Sequence, residues 1–273
     1  GEVGTLHESP LCWLHAPVNL AMTQASPSTR PAGPAGRRRP TIRPVKVQRI
    51  TELGPRLLRV TFGGASLSGF QMPRPGAHLK LFFGEVSPDA FADPNAPRPV
   101  ARTYTPRRFD PVENELDVEF VLHGDGVASD WAAKASVGDD LLLAGPGGGH
   151  DISSDCTEMV LLVDETALPA AGMIIDALPA NCQVTLVAEV QDAQDELVPS
   201  ARSVQRVQWL HRLPVEAEPG SLLLAAARRL SPGADAQWFI ACEAGAMRAI
   251  KTELLKERDL PREQLITRGY WKV

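Results

Sequence analysis

The sequence predicts an α+β chain of two domains: an N-terminal antiparallel six-stranded β-barrel, then an α/β domain built on a parallel sheet. Three observations carry this. Residues 43–144 hold short runs of alternating apolar and polar residues between Gly and Pro turn signals, the pattern of antiparallel strands packed on one face. From residue 158 onward, continuous apolar runs take turns with segments of helical period, as parallel strands covered on both faces require. Between the two lies Gly145-Pro146-Gly147-Gly148-Gly149-His150, which joins rather than forms an element. A chain of 273 residues is also long enough to bury two cores.

Each element follows from its residues. In residues 1–40, Pro27, Pro31, Pro34 and Pro40 mix with Ser, Ala, Gly and the run Arg37-Arg38-Arg39. Too few apolar side chains are present there to offset the entropy of ordering, so a disordered tail is expected. The barrel domain is placed at 41–148. Its strands are Pro44–Thr51, Arg56–Phe62, His78–Phe83, Val100–Thr105, Glu115–His123 and Asp140–Ala144, with one helix at Ala128–Ala135. Gly54-Pro55, Gly63-Gly64 and Pro75-Gly76 supply turns. The second domain is placed at 155–273. Its strands are Met159–Val163, Val184–Val190, Val207–Leu210, Gln237–Ala241 and Gln264–Thr267. Helices are expected at Thr166–Leu178, Leu222–Leu230 and Ala244–Arg258. A barrel before an open parallel sheet suits two ligands, a planar one against the barrel and a nucleotide at the carboxyl edge of the sheet.

Composition excludes several classes. No stretch of 18 apolar residues exists, so no membrane-spanning helix is expected. Residues 61–273 carry 19 Lys and Arg against 30 Asp and Glu, too acidic for general nucleic-acid binding. Cys12, Cys156, Cys182 and Cys242 show neither C-x-x-C nor zinc spacing, so reduced thiols and no metal site are expected. The corresponding expectation is a cytoplasmic monomer with no nucleic-acid or membrane partner.

Two segments carry chemistry. In Arg102-Thr103-Tyr104-Thr105-Pro106-Arg107, strand alternation points Arg102 and Tyr104 the same way. Arg102 can supply a fixed positive charge to a diphosphate and Tyr104 an aromatic plate to a planar ring. Thr105, at the strand end, can reach a ring edge with its hydroxyl or its N–H. A surface Arg beside a half-buried Tyr fits the same residues. In His123-Gly124-Asp125-Gly126-Val127-Ala128-Ser129-Asp130-Trp131, a strand ends, two glycines open the backbone and a helix begins. Such a turn binds phosphate through backbone N–H groups. Ser129 adds a hydroxyl or caps the helix, and Trp131 reads as core.

The R-x-Y-T-x-R segment resembles the flavin signature of the ferredoxin-reductase superfamily. Together with P-G-x-H-x-K from Pro75 to Lys80 and H-G-x-G-x-A-x-x-W from His123 to Trp131, it resembles the siderophore-interacting protein family, flavin-dependent ferric-siderophore reductases. The second half is similar to that family in Asp164-Glu165-Thr166-Ala167-Leu168-Pro169-Ala170, in Glu243-Ala244 followed by Met247-Arg248, and in Gly269-Tyr270-Trp271-Lys272. The matches span residues 43–273. Val127 stands where the family often has Pro, and Cys242 where it usually has Gly.

The resemblance implies a barrel that binds FAD and a sheet domain that binds NADH or NADPH. Arg102 would bind the FAD diphosphate, Tyr104 stack on the isoalloxazine and Thr105 bond near its reactive edge. Gly124, Gly126, Ala128 and Ser129 would hold the diphosphate, and His123 would flank flavin or ribose. Lys80, Arg107 and Lys272 are the candidates for a basic surface that receives an anionic ferric siderophore. Arg98, Arg102, Arg107 and Arg108 form a basic stretch with no acid among them.

The nicotinamide half lacks the G-x-G-x-x-G fingerprint. Thr166 is instead expected to cap a helix whose N–H groups, with Ala167, take a pyrophosphate. Glu189 closes the second strand, a place for a carboxylate on a ribose diol, while Arg202, Arg206 and Arg212 leave NADPH open. Glu243 joins this cofactor-binding set through its family-like motif. Two other readings stay open: a general flavin or ferredoxin-type oxidoreductase, and a non-enzymatic flavin- or siderophore-binding protein, for which Cys242 in the nucleotide edge argues.

Overall fold

A computed structural model describes residues 41–86, 88–91, 99–124, 126–200 and 204–273. The expected tail, and with it Cys12, lies outside them, as do Arg98, Asp125 and Arg202.

The first half is one antiparallel sheet of seven strands, not six. They are β1 (Ile42–Gly54), β2 (Leu57–Gly63), β3 (Ala77–Phe83), β4 (Val100–Tyr104), β5 (Pro106–Asp110), β6 (Glu115–Val121) and β7 (Asp140–Gly148). The order is β4-β3-β7-β1-β2-β6-β5. The unforeseen strand is β5. Its text, Pro-Arg-Arg-Phe-Asp, looks like a loop because a sheet edge tolerates Pro and charge. The two edges of this sheet, β4 and β5, are consecutive in the chain with only Thr105 between them, so the sheet curls until its edges meet there. Val60, Phe62, Leu79, Leu81, Leu116, Val118, Phe120 and Leu143 fill its interior. Helix α1 (Val127–Lys134) plugs one end. Its Trp131 meets Phe62, Phe83 and Phe120 at ring centroid distances of 6.1, 5.7 and 5.7 Å, so it is core as read.

The second half is a five-stranded, wholly parallel sheet of β8 (Glu158–Asp164), β9 (Gln183–Val190), β10 (Arg206–His211), β11 (Gln237–Glu243) and β12 (Leu265–Trp271). Its order is β10-β9-β8-β11-β12, so the direction of winding reverses between β8 and β11. Helix α2 (Leu168–Ala177) covers one face, and α3 (Ser221–Arg229) with α4 (Ala244–Thr252) the other. Both faces are buried, which is why these strands lack alternation. A π-helical turn, Glu253–Glu257, continues α4 to the length its periodicity predicts.

Two guanidinium clasps fasten the halves. Arg56 donates to Asp195 at 2.8 Å and Asp192 at 2.6 Å. Arg107 of β5 donates to Asp176 of α2 at 3.2 Å and to the carbonyl of Pro199. Gly172 of α2 makes room for the second clasp, because a Cβ there would lie 2.3 Å from the Pro199 oxygen and 3.1 Å from Arg107 Cζ.

Candidate functional site

The barrel half presents its expected flavin residues around the corner at Thr105. Tyr104 packs its ring 4.4 Å from that of Phe120, and burial pushes its hydroxyl up to about 12. Arg102, opposite Leu81 as Tyr104 is opposite Leu79, shares its face of β4, as alternation requires. Arg102 has no carboxylate partner among the described residues. Thr105 is 5 % exposed and hydrogen-bonds the Tyr270 hydroxyl of β12, which stitches the barrel corner to the sheet domain.

The turn before α1 is open. Gly124 and Gly126 adopt φ of 79° and 93°, conformations that favour glycine. A Cβ on Gly124 would meet nothing within 4 Å. Helix α1 starts without a side-chain cap, so its first N–H groups, including that of Ala128, are left to a ligand or water. Ser129 does not cap; its hydroxyl accepts from His123 N at 3.1 Å and holds the turn in shape. This open, N–H-rich turn, the exposed Arg102 and the Tyr104 ring together fit a flavin dinucleotide.

The sheet half departs from expectation at its carboxyl edge. Asp164, at the end of β8, accepts from Thr166 N at 3.1 Å and Thr166 Oγ1 at 2.5 Å. The cap is therefore Asp164 rather than Thr166, and this N–H is already taken. Ala167 is fully buried. Glu189 is 0 % exposed and accepts from Arg212 at 3.3 Å, Gly220 N at 2.6 Å and Leu223 N at 3.2 Å. It caps α3 and turns no oxygen outward to a ribose. Glu243 accepts from Ala246 N at 2.8 Å and caps α4; its backbone hydrogen bonds hold its carboxyl low against the opposing effect of burial. Three strand-end carboxylates thus occupy the amide groups a helix-start phosphate site would use. That is the physical counterpart of the missing glycine fingerprint.

Asp164 also accepts from Trp271 Nε1 at 2.8 Å. Burial, then the neighbouring Glu165 charge, push its carboxyl up to about 7 against the pull of these donors. A folded-state value above the unfolded one means the native state holds an extra proton from about pH 4 to pH 7. Stability from this group is lost as pH rises through that window. Replacing Asp164 by Asn removes the titration. The stability of wild type relative to Asp164→Asn is expected to fall by about 3 kcal/mol between pH 5 and pH 8, read from denaturant midpoints; an unchanged difference excludes the buried proton.

The basic candidates separate. Lys80 faces outward on β3, and its Nζ donates to Thr103 Oγ1 at 2.6 Å. Arg107 is committed to the clasp on α2, with 17 % of its side chain exposed, so it is not presented as a free cation. Lys272 is exposed just past β12. Arg268 of β12 was not among the candidates. Its charge is felt by His78, His150 and Tyr270, and it has no salt-bridge partner among the described residues. Alternation from Tyr270 was the signal that could have found it. Cys242 is 0 % exposed and packs with the α3 and α4 side chains, so it leaves the nucleotide edge clear.

Residues 46–150 match the model of the siderophore-interacting FAD-binding domain, and residues 156–273 that of the siderophore-interacting protein. The chain belongs to the siderophore-interacting protein family. Ferric vibriobactin reductase of Vibrio cholerae is 31 % identical over 227 residues, covering 79 % of this chain and 84 % of that one. The NADPH-dependent ferric-chelate reductase of Escherichia coli is 32 % identical over 162 residues, covering 55 % of this chain and 63 % of that one. Among solved structures, a siderophore utilization protein from T. fusca superposes with a TM-score of 0.76 at 35 % identity, covering 85 % of this chain and 93 % of that one. The antiparallel barrel followed by the parallel sheet is the ferredoxin-reductase arrangement.

Proposed function

We propose that this family member is a ferric-siderophore reductase that takes electrons from NAD(P)H and delivers them, through FAD, to siderophore-bound Fe(III). The observation that carries the substrate is the pair of outward cations, Lys80 and Arg268, without acidic partners among the described residues, beside the Thr105–Tyr270 contact. Bound FAD supplies the conversion of a two-electron hydride donor into one-electron steps. The chain's residues do the rest. Arg102, Gly124, Gly126 and Ala128 would hold the diphosphate, Tyr104 would seat the ring, and Thr105 with Tyr270 closes the corner where the halves meet. Reduction frees the metal because hard oxygen donors hold Fe(II) more weakly than Fe(III), so the protein needs no iron ligands of its own.

The electron donor is NADH or NADPH. Glu189 does not decide between them, because its oxygens are spent inside the fold, and Arg212 is spent on Glu165 and Glu189. Burial of Cys242 removes the argument for a non-enzymatic binding protein. A cytoplasmic, monomeric protein is part of the same reading.

The test is anaerobic. FAD-loaded protein should bleach with NADH or NADPH and regain its yellow colour when a ferric siderophore is added; no recolouring removes the reductase reading. Lys80→Ala should raise the KM for an anionic ferric chelate about threefold to fivefold, the loss of one exposed charge contact. An unchanged KM retires Lys80.

A further inference from the structure

The thiols of Cys156 and Cys182 have no part in the reading so far. Cys156 precedes β8 and Cys182 precedes β9, at the end of the sheet where the two parallel strands begin their ladder with Glu158 opposite Gln183. Gln183 N donates to Thr157 O at 2.8 Å, so the backbones are already joined beside the sulfurs. The two Sγ atoms stand 3.5 Å apart, in hydrogen-bond contact. Each also reaches a carbonyl, Cys156 that of Glu158 at 3.5 Å and Cys182 that of Gln183 at 3.7 Å. Each closes a tight turn with its own amide: Cys156 N donates to Ser153 O at 3.2 Å, and Cys182 N to Pro179 O at 3.0 Å.

A disulfide holds its sulfurs about 2 Å apart, so bond formation asks these turns for a shared movement of about 1.5 Å from the 3.5 Å contact. The thiols are buried but shallow. Cys156 is 5 % exposed and Cys182 1 %, while their chain neighbours Asp155, Thr157, Asn181 and Gln183 are all exposed. Cys156 is therefore the sulfur that a small oxidant meets first. Cys242 packs on the opposite face of the sheet, with the α3 and α4 side chains, and does not compete for either thiol. The chain between Cys156 and Cys182 holds all of β8 and α2, and α2 carries Asp176, the carboxylate that takes the Arg107 clasp from the barrel.

We propose that Cys156 and Cys182 form an oxidation site, a dithiol that closes to a disulfide when hydrogen peroxide reaches it and so staples the β8–α2–β9 crossover. The Cys156 sulfur, as thiolate, attacks one peroxide oxygen; the O–O bond breaks, hydroxide leaves, and Cys156 becomes a sulfenic acid. The Cys182 sulfur, as thiolate, then attacks the Cys156 sulfur; the S–S bond forms, the S–O bond breaks, and hydroxide leaves. The hydroxides take up the two thiol protons. In sum the two thiols lose two electrons and two protons, and the peroxide becomes two waters. The inference stands apart from the reductase reading, since peroxide from any source serves, a reduced flavin meeting dioxygen being one such source. The bridge ties residues 26 positions apart, which restricts the unfolded chain and stabilises the crossover against it.

The test uses the full chain, loaded with FAD, its thiols reduced and the reductant then removed. Hydrogen peroxide is added in small molar excess, remaining thiols are blocked by alkylation at timed points, and unreduced peptides are mapped by mass spectrometry. A peptide pair joined through Cys156 and Cys182, lighter by about 2 Da than the two thiol peptides, is expected. Both thiols should be lost at least about tenfold faster than that of Cys242. The thermal midpoint of the bridged protein should rise by about 5–10 °C and fall back on treatment with dithiothreitol. In Cys182→Ser, Cys156 should stop at the sulfenic acid, trapped by dimedone, and peroxide should leave the midpoint unmoved. Sulfinic or sulfonic acid without a bridge, a bridge that takes Cys12, Cys242 or a second chain instead, or a bridge that leaves the midpoint unchanged overturns the site. The wild-type mapping needs no substitution, so a variant that fails to fold leaves the test standing. Ferric-chelate reduction plays no part in any readout, so failure of the dithiol and failure of the reductase reading are seen separately.

Discussion

Replacing Arg212 by Met is expected to cost about 3–5 kcal/mol of stability, the largest single loss among the substitutions considered. Arg212 lies just past β10, and its side chain runs back over the carboxyl edge of the sheet. Its guanidinium donates to both oxygens of Glu165 and, at 3.3 Å, to Glu189. Glu189 has no exposed surface at all. Without Arg212 it keeps two amide donors from the start of α3 but loses its countercharge in a low-dielectric site. The cost is therefore that of a stranded buried charge rather than of one hydrogen bond. Denaturant midpoints give the value. Combining Arg212→Met with Glu189→Gln should recover a large part of it, since the charge is then gone; a loss under about 1 kcal/mol for the single variant would mean that water reaches Glu189.

Tyr104→Ala is expected to abolish flavin retention through desalting. The ring supplies both a stacking plate and apolar area, together about 2–3 kcal/mol, or roughly 30- to 150-fold in FAD affinity. The substitution also withdraws the neighbour of Phe120, with ring centroids 4.4 Å apart in the wild type. Tyr104→Phe keeps the plate and should keep the flavin, which separates loss of stacking from loss of the hydroxyl. Because burial holds the phenol up to about 12, wild-type affinity should show no titration from this residue between pH 6 and pH 9. Equal FAD affinity in wild type and Tyr104→Ala would remove Tyr104 from the site.

The two-domain plan was legible because hydrophobic period is local. Alternation before residue 144 and continuous apolar runs after 158 each report burial within a few residues. What stayed hidden depends on distant partners. Arg107 looked like a free cation because Asp176, its acceptor, is 69 residues away. Glu189 looked like a ribose ligand because Gly220, whose N–H it takes, is 31 residues away. Strand β5 was missed because an edge strand needs only one paired side, and its Pro and Arg residues read as a break. The barrel motif residues fared differently, since Arg102, Tyr104, Gly124 and Gly126 draw their geometry from strand alternation and backbone conformation.

Strand β12 gives the molecule an order in time. It is an edge strand paired only with β11, yet Tyr270 reaches Thr105 at the barrel corner and Trp271 reaches Asp164 at the end of β8. These contacts join the last described strand to residues made more than a hundred positions earlier. During synthesis β12 follows the barrel strands and β8–β11 out of the ribosome. The corner at Thr105 is therefore closed by a strand made after both of the elements it joins.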